Sequence, residues 1–204
     1  MRAQVIRLIA AATIAAVPLT GHTQAVGAPD VKRVVAGSYK VDPNHTQVVW
    51  TVDHMGVTPL SGAFGASGGT LDIDPAKPAA AKLNVTFNIA ELSSTSTGFT
   101  KHLLSADLFD VAKNSNASFT STSVQVSGTS AKIVGNLTIK GITKPVTLDA
   151  KFFGAGANPM SKKLNIGFSA NAKIKRSDFG LGYGVPMVGD QVDLKIAGAF
   201  ERVG

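Results

Sequence analysis

The stretch Ala131–Phe152, AKIVGNLTIKGITKPVTLDAKF, decides the fold. In its first half the odd positions Ile133, Leu137 and Ile139 are apolar; in its second half the even positions Val146, Leu148, Ala150 and Phe152 are. The parity flips across Lys140-Gly141, as a two-residue hairpin loop requires: Ile139 then lies opposite Ile142, Gly135 opposite Val146 and Ile133 opposite Leu148. Both apolar sets share one face of an antiparallel ribbon, and that face must be kept from water. Pro145 has no ladder donor, so the second strand is expected to be regular only from Val146 onward.

The same signature recurs on both sides. Ser38 to Asp42 reads as a brief strand ended by the turn Asp42-Pro43-Asn44, and Thr46 to His54 alternates with Val48, Trp50, Val52 and His54 on one side. Leu60 to Ile73 is strand-like but carries Gly62, Gly65, Gly68 and Gly69, the mark of a sharply bent or bulged strand. Lys82 to Ile89 sets Leu83, Val85, Phe87 and Ile89 against polar neighbours. One segment, about Phe99 to Phe109, has helical spacing, enough for two or three turns. Ala117 to Val126 changes apolar parity between Phe119 and Val124. A loop is expected over Gly154 to Ser161, then strands over Leu164 to Ile174 and from Val192 to Phe200. Eight or nine antiparallel strands with one short helix suit a sandwich or a closed up-and-down barrel. Closure removes the exposed edges that such long strands would leave, which favours the barrel.

Length and charge bound the function. The chain has 204 residues, enough for one domain. Arg2 and Arg7 precede an apolar run from Leu8 to Leu19, and Thr23-Gln24-Ala25 offers small residues for cleavage. That run of about 12 residues is too short for a bilayer span of roughly 20, so residues 1–25 read as a secretory signal peptide. Residues 26–36 read as a linker and 37–204 as the barrel domain. The formal charge of +7 falls to +5 without Arg2 and Arg7, because no acidic residue precedes Asp30. The lysines alternate along strands without interleaved aromatics, a solvated outer face rather than a nucleic-acid surface. The absence of cysteine excludes disulfides and thiolate metal sites.

Four segments together, SYKVDPNHTQVVWTVDHMGVTPLSGAFG (38–65), HLLSADLFDVAKN (102–114), GNLTIKGITKPVTL (135–148) and RSDFGLGYGVPMVGDQVDLKI (176–196), resemble the YceI-like family of bacterial periplasmic proteins. The resemblance runs in order from Ser38 to about Phe200. It implies a lipocalin-like all-β antiparallel barrel with an elongated apolar cavity, which binds a polyisoprenoid or related long-chain lipid and has no enzymatic activity. Two positions depart from the family pattern. Phe99-Thr100-Lys101 precedes His102 where an acidic residue and an arginine are common, and Asn114-Ser115-Asn116 stands where a proline usually follows.

Parity sends Val48, Trp50, Val52, Leu83, Val85, Phe87, Phe119, Leu137, Ile139, Leu148, Phe168 and Phe200 to one side, the expected ligand-binding wall. A solid core would show the same parity, but the small inward residues Gly135, Ala150, Ala170, Ala172 and Gly198 would leave room. His54 and Arg176 share inward parity at the ends of their strands. In a simple meander one rim gathers His54, the segment from Glu91 to Asn116, Gly141 and Arg176. That rim is a candidate polar mouth for a diphosphate, quinone or other headgroup, with the helix around His102 as a lid. The competing reading pairs Arg176 with Asp178 or Asp190 to pin the RSDFG loop.

His45, His54 and His102 are the candidate metal ligands. His45 and His54 differ in parity and no HxH or HExxH spacing occurs, so no metal site is expected. No GxSxG elbow occurs, and neither GAFGASGG nor GLGYGVPMVG has a phosphate-loop ending. The expectation is a periplasmic carrier holding a polyprenyl chain, isoprenoid quinone or other amphiphilic lipid, with no further cofactor and with transient contact to a membrane or membrane proteins. Monomer and homodimer both remain open. The alternative is a secreted interaction or adhesion module with a packed core and no lipid.

Overall fold

The computed structural model describes residues 26–204; the expected signal peptide, residues 1–25, lies outside them. In chain order the elements are β1 (Gly37–Val41), β2 (Gln47–His54), β3 (Thr58–Ile73), β4 (Lys82–Asn88), β5 (Ser93–Ser94), α1 (Thr97–Leu104), β6 (Asn116–Ser127), β7 (Ser130–Ile139), β8 (Ile142–Ala157), β9 (Leu164–Lys175) and β10 (Val188–Arg202). Every ladder is antiparallel, and β9 pairs with β10, which pairs with β1 and β2. The sheet therefore closes. β1 and β2 both lie between β3 and β10, end to end, and form one interrupted stave: Tyr39 pairs with Leu71 and Gln47 with Gly65 on β3. The described residues form a closed eight-stave antiparallel barrel with one α-helix and the small strand β5 attached to β3.

The opening hairpin has the register its parity demands. Ile139 pairs with Ile142, Gly135 with Val146 and Ile133 with Leu148. Lys140 and Gly141 sit at φ 50° and 73°, the left-handed pair that matches the twist of a two-residue hairpin. Pro145 does not delay the strand: β8 is regular from Ile142, and Pro145 pairs with Asn136. Two-residue loop geometry makes Ile139 and Ile142 a hydrogen-bonded pair, so Asn136 and Pro145, three steps on, are not. The proline nitrogen faces away from β7, and β9 joins β8 only from Asp149.

Irregularities fall where the apolar pattern breaks. The parity change in β6 is a bulge, since Ser121 pairs with Gly135 and Ser123 with Val134, leaving Thr122 extra. β3 shifts register between Ala66 and Gly68 and passes from β2 to β1. The loop expected over Gly154 to Ser161 is corrected: β8 continues to Ala157 through a bulge at Phe153, which restores inward parity at Ala155. The helix is shorter than its sequence spacing and starts earlier, capped by Ser96, whose hydroxyl accepts from the Phe99 N–H at 3.3 Å. Residues 26–36 do not hang free. Ala28 and Ala155 exchange two backbone hydrogen bonds, and Tyr39 Oη donates to the Val35 carbonyl at 2.6 Å.

Candidate functional site

The barrel is hollow. A cavity of about 1220 Å³ runs along its interior, and every residue singled out from the sequence as ligand-binding lines it. Val48, Trp50, Val52 and His54 come from β2; Leu83, Val85 and Phe87 from β4; Phe119 from β6; Leu137 and Ile139 from β7; Leu148 from β8; Phe168 from β9; Phe200 from β10; and Arg176 from the turn after β9. Strand alternation puts these side chains on one face, and closure turns that face into a wall.

The expected rim exists. The ends of β2, β4, β7 and β9 lie together, bringing the turn 55–57, the segment from Ile89 to Ser115, the Lys140-Gly141 tip and the loop from Arg176 to Met187 to one end of the barrel. Lys140 Nζ joins three of these pieces, donating to the Leu108 carbonyl at 2.5 Å and to the Gly180 carbonyl at 3.2 Å. The Met55 N–H donates to the Met187 carbonyl at 2.9 Å, joining the turn to the long loop. His102 on α1 meets the Tyr183 ring edge-on at 5.2 Å, and both line the cavity with His54. Polar groups at this end are thus imidazoles, a phenol, the Arg176 guanidinium and the hydroxyls of Ser94, Thr95 and Ser96.

Arg176 has a different job from either sequence reading. It is only 8% exposed, and its guanidinium donates to four backbone carbonyls: Nε to Gly189 (2.8 Å), Nη1 to Leu181 and Tyr183 (2.8 Å to the latter), and Nη2 to Val188 (2.9 Å). Burial pushes its pKa down and the nearby Asp190 charge opposes that shift. Asp190 makes no direct ion pair with it. Its carboxylate accepts instead from the Ser177 N–H (2.9 Å) and Oγ–H (2.7 Å), which hold its pKa below the ordinary carboxylate value. Arg176 therefore folds the Arg176–Asp190 loop around itself, and four of its five N–H donors are already committed to protein carbonyls.

Some wall residues were not legible. Phe99, Leu181 and Tyr183 enter from the helix and the long loop, where no strand parity exists. Their signal was the apolar residue inside a Gly-rich or polar stretch. Phe99 packs edge-on against Trp50 with ring centroids 6.3 Å apart. Gly135 does not thin the wall as expected, because the Phe119 ring occupies its side: a Cβ there would lie 2.3 Å from Phe119 Cζ. Ala150 and Ala170 do leave room; they pair across β8 and β9 and line the cavity. Among the described residues no group of three or more His, Cys, Asp or Glu is arranged for a metal ion, and His45 pairs with Asp42 in the turn that interrupts the β1–β2 stave, whereas His54 ends β2 at the mouth. No helix among them is long and apolar enough to cross a membrane.

Comparison with known proteins places this geometry. The chain is 42% identical over 165 residues to Protein YceI of Escherichia coli O6:H1, covering 80% of this chain and 86% of that protein, and 41% identical with the same coverage to Protein YceI of Shigella flexneri. The crystal structure of Campylobacter jejuni YCEI protein matches with a TM-score of 0.65 at 31% identity, over 74% of this chain and 90% of that one. Burkholderia cenocepacia BcnA matches with a TM-score of 0.67 at 27% identity, over 78% and 98%. A polyisoprenoid binding domain from Saccharophagus degradans shares the fold at 13% identity, with a TM-score of 0.59 over 81% and 98%. The YceI-like domain profile matches residues 39–200, from the interrupted stave to the last strand of the barrel, and the chain belongs to the YceI-like family.

Proposed function

We propose that the protein is a periplasmic carrier that sequesters a long-chain polyisoprenoid or isoprenoid quinone in the barrel cavity. The observation that carries this reading is the cavity itself: about 1220 Å³, continuous, and walled by Val, Leu, Ile, Phe and Trp side chains. At about 30 Å³ per water-sized group it holds roughly 40 non-hydrogen atoms, or about eight five-carbon isoprene units. Removing such a chain from water contributes about 25 cal/mol per Å² without any hydrogen bond. The Saccharophagus degradans domain named for polyisoprenoid binding has the same fold and supports the ligand class. A packed-core adhesion module does not fit a hollow interior. The apolar wall supports binding as the function.

Cargo of this kind is exchanged where the mouth meets a membrane. The mouth rim carries exposed Met55 (56%), Val57 (78%), Tyr183 (57%) and Met187 (68%), apolar groups suited to brief contact with an acyl surface. Periplasmic residence follows from the signal-peptide reading and is checked by osmotic-shock fractionation. Organic extraction of the purified protein followed by mass spectrometry is expected to release an isoprenoid lipid. An empty barrel that also fails to take up added quinone or polyprenyl lipid, followed by quenching of the single Trp50, would overturn the carrier.

A further inference from the structure

The end of the barrel opposite the mouth is crossed by the chain's own N-terminal segment, residues 26–36. This segment is tied at two places far apart on the barrel wall. Near its start, Ala28 exchanges hydrogen bonds of 3.1 and 2.9 Å with Ala155, on the part of β8 that extends beyond its last pair with β7, Lys151 with Ser130. At its other end, the Val35 carbonyl accepts from buried Tyr39 Oη at 2.6 Å, and the chain enters β1. β1 and β8 are separated by β10 and β9, three steps around an eight-stave barrel and so nearly opposite. The segment between them spans the opening as a chord. It holds a single 3-10 turn, Val31–Arg33, capped by the Asp30 carboxylate, and Val31, Lys32 and Val34 line the cavity.

The sequence of β8 is fitted to this strap. A Cβ on Gly156 would lie 2.5 Å from the Val26 carbonyl oxygen and 2.8 Å from Gly27 Cα, and one on Gly154 would lie 3.2 Å from the Ala28 carbonyl oxygen. Both clashes are with backbone, which cannot swing aside as a flexible side chain does. Two glycines thus keep the surface over which the strap crosses β8 clear, and neither lines the cavity.

We infer that the strap Val26–Ala36 is the end wall of the cavity and sets the longest isoprenoid chain the barrel accepts. This rests on the carrier reading above and adds a length limit to it. An apolar tail inserted from the mouth runs down the barrel until it meets Val31 and Val34. A tail longer than the cavity must stay partly in water at the mouth or displace the strap. Side chains on the staves set the width of the cavity; the strap sets its depth.

The test uses isoprenoid quinones of four, eight and ten isoprene units, with binding read from Trp50 quenching, on the native protein and on the variants Gly156→Val and Ala28→Pro. Gly156→Val places carbon where the strap crosses. Ala28→Pro removes the donor to Ala155 without touching the barrel. The native protein is expected to bind the ten-unit quinone at least ten-fold more weakly than the eight-unit one. Both variants are expected to reduce that difference to within about three-fold while binding the four-unit quinone as tightly as the native protein, which also shows that they are folded. Unaltered discrimination in both variants, or no discrimination in the native protein, overturns the strap's role and leaves the carrier standing. A native protein that takes up none of the three quinones removes the carrier reading and the length limit with it.

Discussion

Arg176 shows how a buried charge can be satisfied without a counter-charge in contact. Its four carbonyl partners lie on Leu181, Tyr183, Val188 and Gly189, so one side chain gathers most of a long loop. Removing it strands those acceptors in a desolvated place. Arg176→Ala is expected to lower stability by about 3 kcal/mol, and Arg176→Lys nearly as much, since a compact ammonium cannot reproduce the planar fork. Chemical denaturation of both variants checks this; a near-native lysine variant would show that charge alone suffices. Asp190 adds a pH dependence. The Ser177 bonds depress its pKa in the folded protein, so its stabilisation is fully present above the ordinary aspartate value of about 3.9 and is lost as pH falls through the lower folded value. Melting curves between pH 5 and pH 2 for Asp190→Asn are therefore expected to be flatter than for the native protein.

At the scale of elements, the β7–β8 hairpin both builds the wall and ties the mouth. Its apolar face supplies Leu137, Ile139, Val146 and Leu148 to the cavity, and its tip residue Lys140 reaches Leu108, in the turns that follow α1, and the loop at Gly180. The helix α1 is held by buried Leu103 and by Thr100 Oγ1, which accepts from the Ser94 N–H of β5 at 2.9 Å; Phe99 against Trp50 and His102 against Tyr183 are the ring contacts it makes over the cavity. Lys140→Met removes the tie while keeping the left-handed turn no worse populated. Faster release of a bound quinone to acceptor vesicles is expected, about three-fold or more, with a melting temperature changed by only a few degrees. Stopped-flow transfer kinetics decide it: an unaltered release rate would mean that this corner does not gate the mouth.

At the scale of the whole molecule, the cavity exists because small residues face one another across part of the wall. Ala150 pairs with Ala170, and Ala170 with Ile196 on the other side. Ala170→Phe puts a ring into that space. Binding of an eight-unit quinone is expected to fall at least ten-fold, while melting of the lipid-free protein stays level or rises as apolar area is buried. A fall in melting together with binding would instead mean that the wall is packed and the substitution strains it. Titrated lipid is expected to raise the melting temperature of the native protein with concentration, as binding to the folded state alone requires.

What the sequence determined by itself is the set of strand faces. Alternation is local, two residues per repeat, and Lys140-Gly141 fixes a register that carries every wall residue of β7 and β8 inward; the β6 parity break likewise marks its bulge. Antiparallel order through short turns then fixes which turns share the mouth, which is why His54, His102 and Arg176 were brought to one end correctly. What only the tertiary structure decided are contacts between segments far apart in the chain and without a period. Gly135 reads as empty space until Phe119 on the next strand fills it, Arg176 reads as a headgroup ligand until the folded loop presents four carbonyls, and residues 26–36 read as a linker until β8 offers them an edge. Alternation along one strand says which way a side chain points; what already stands there is set by other strands and loops, whose approach depends on closure of the barrel.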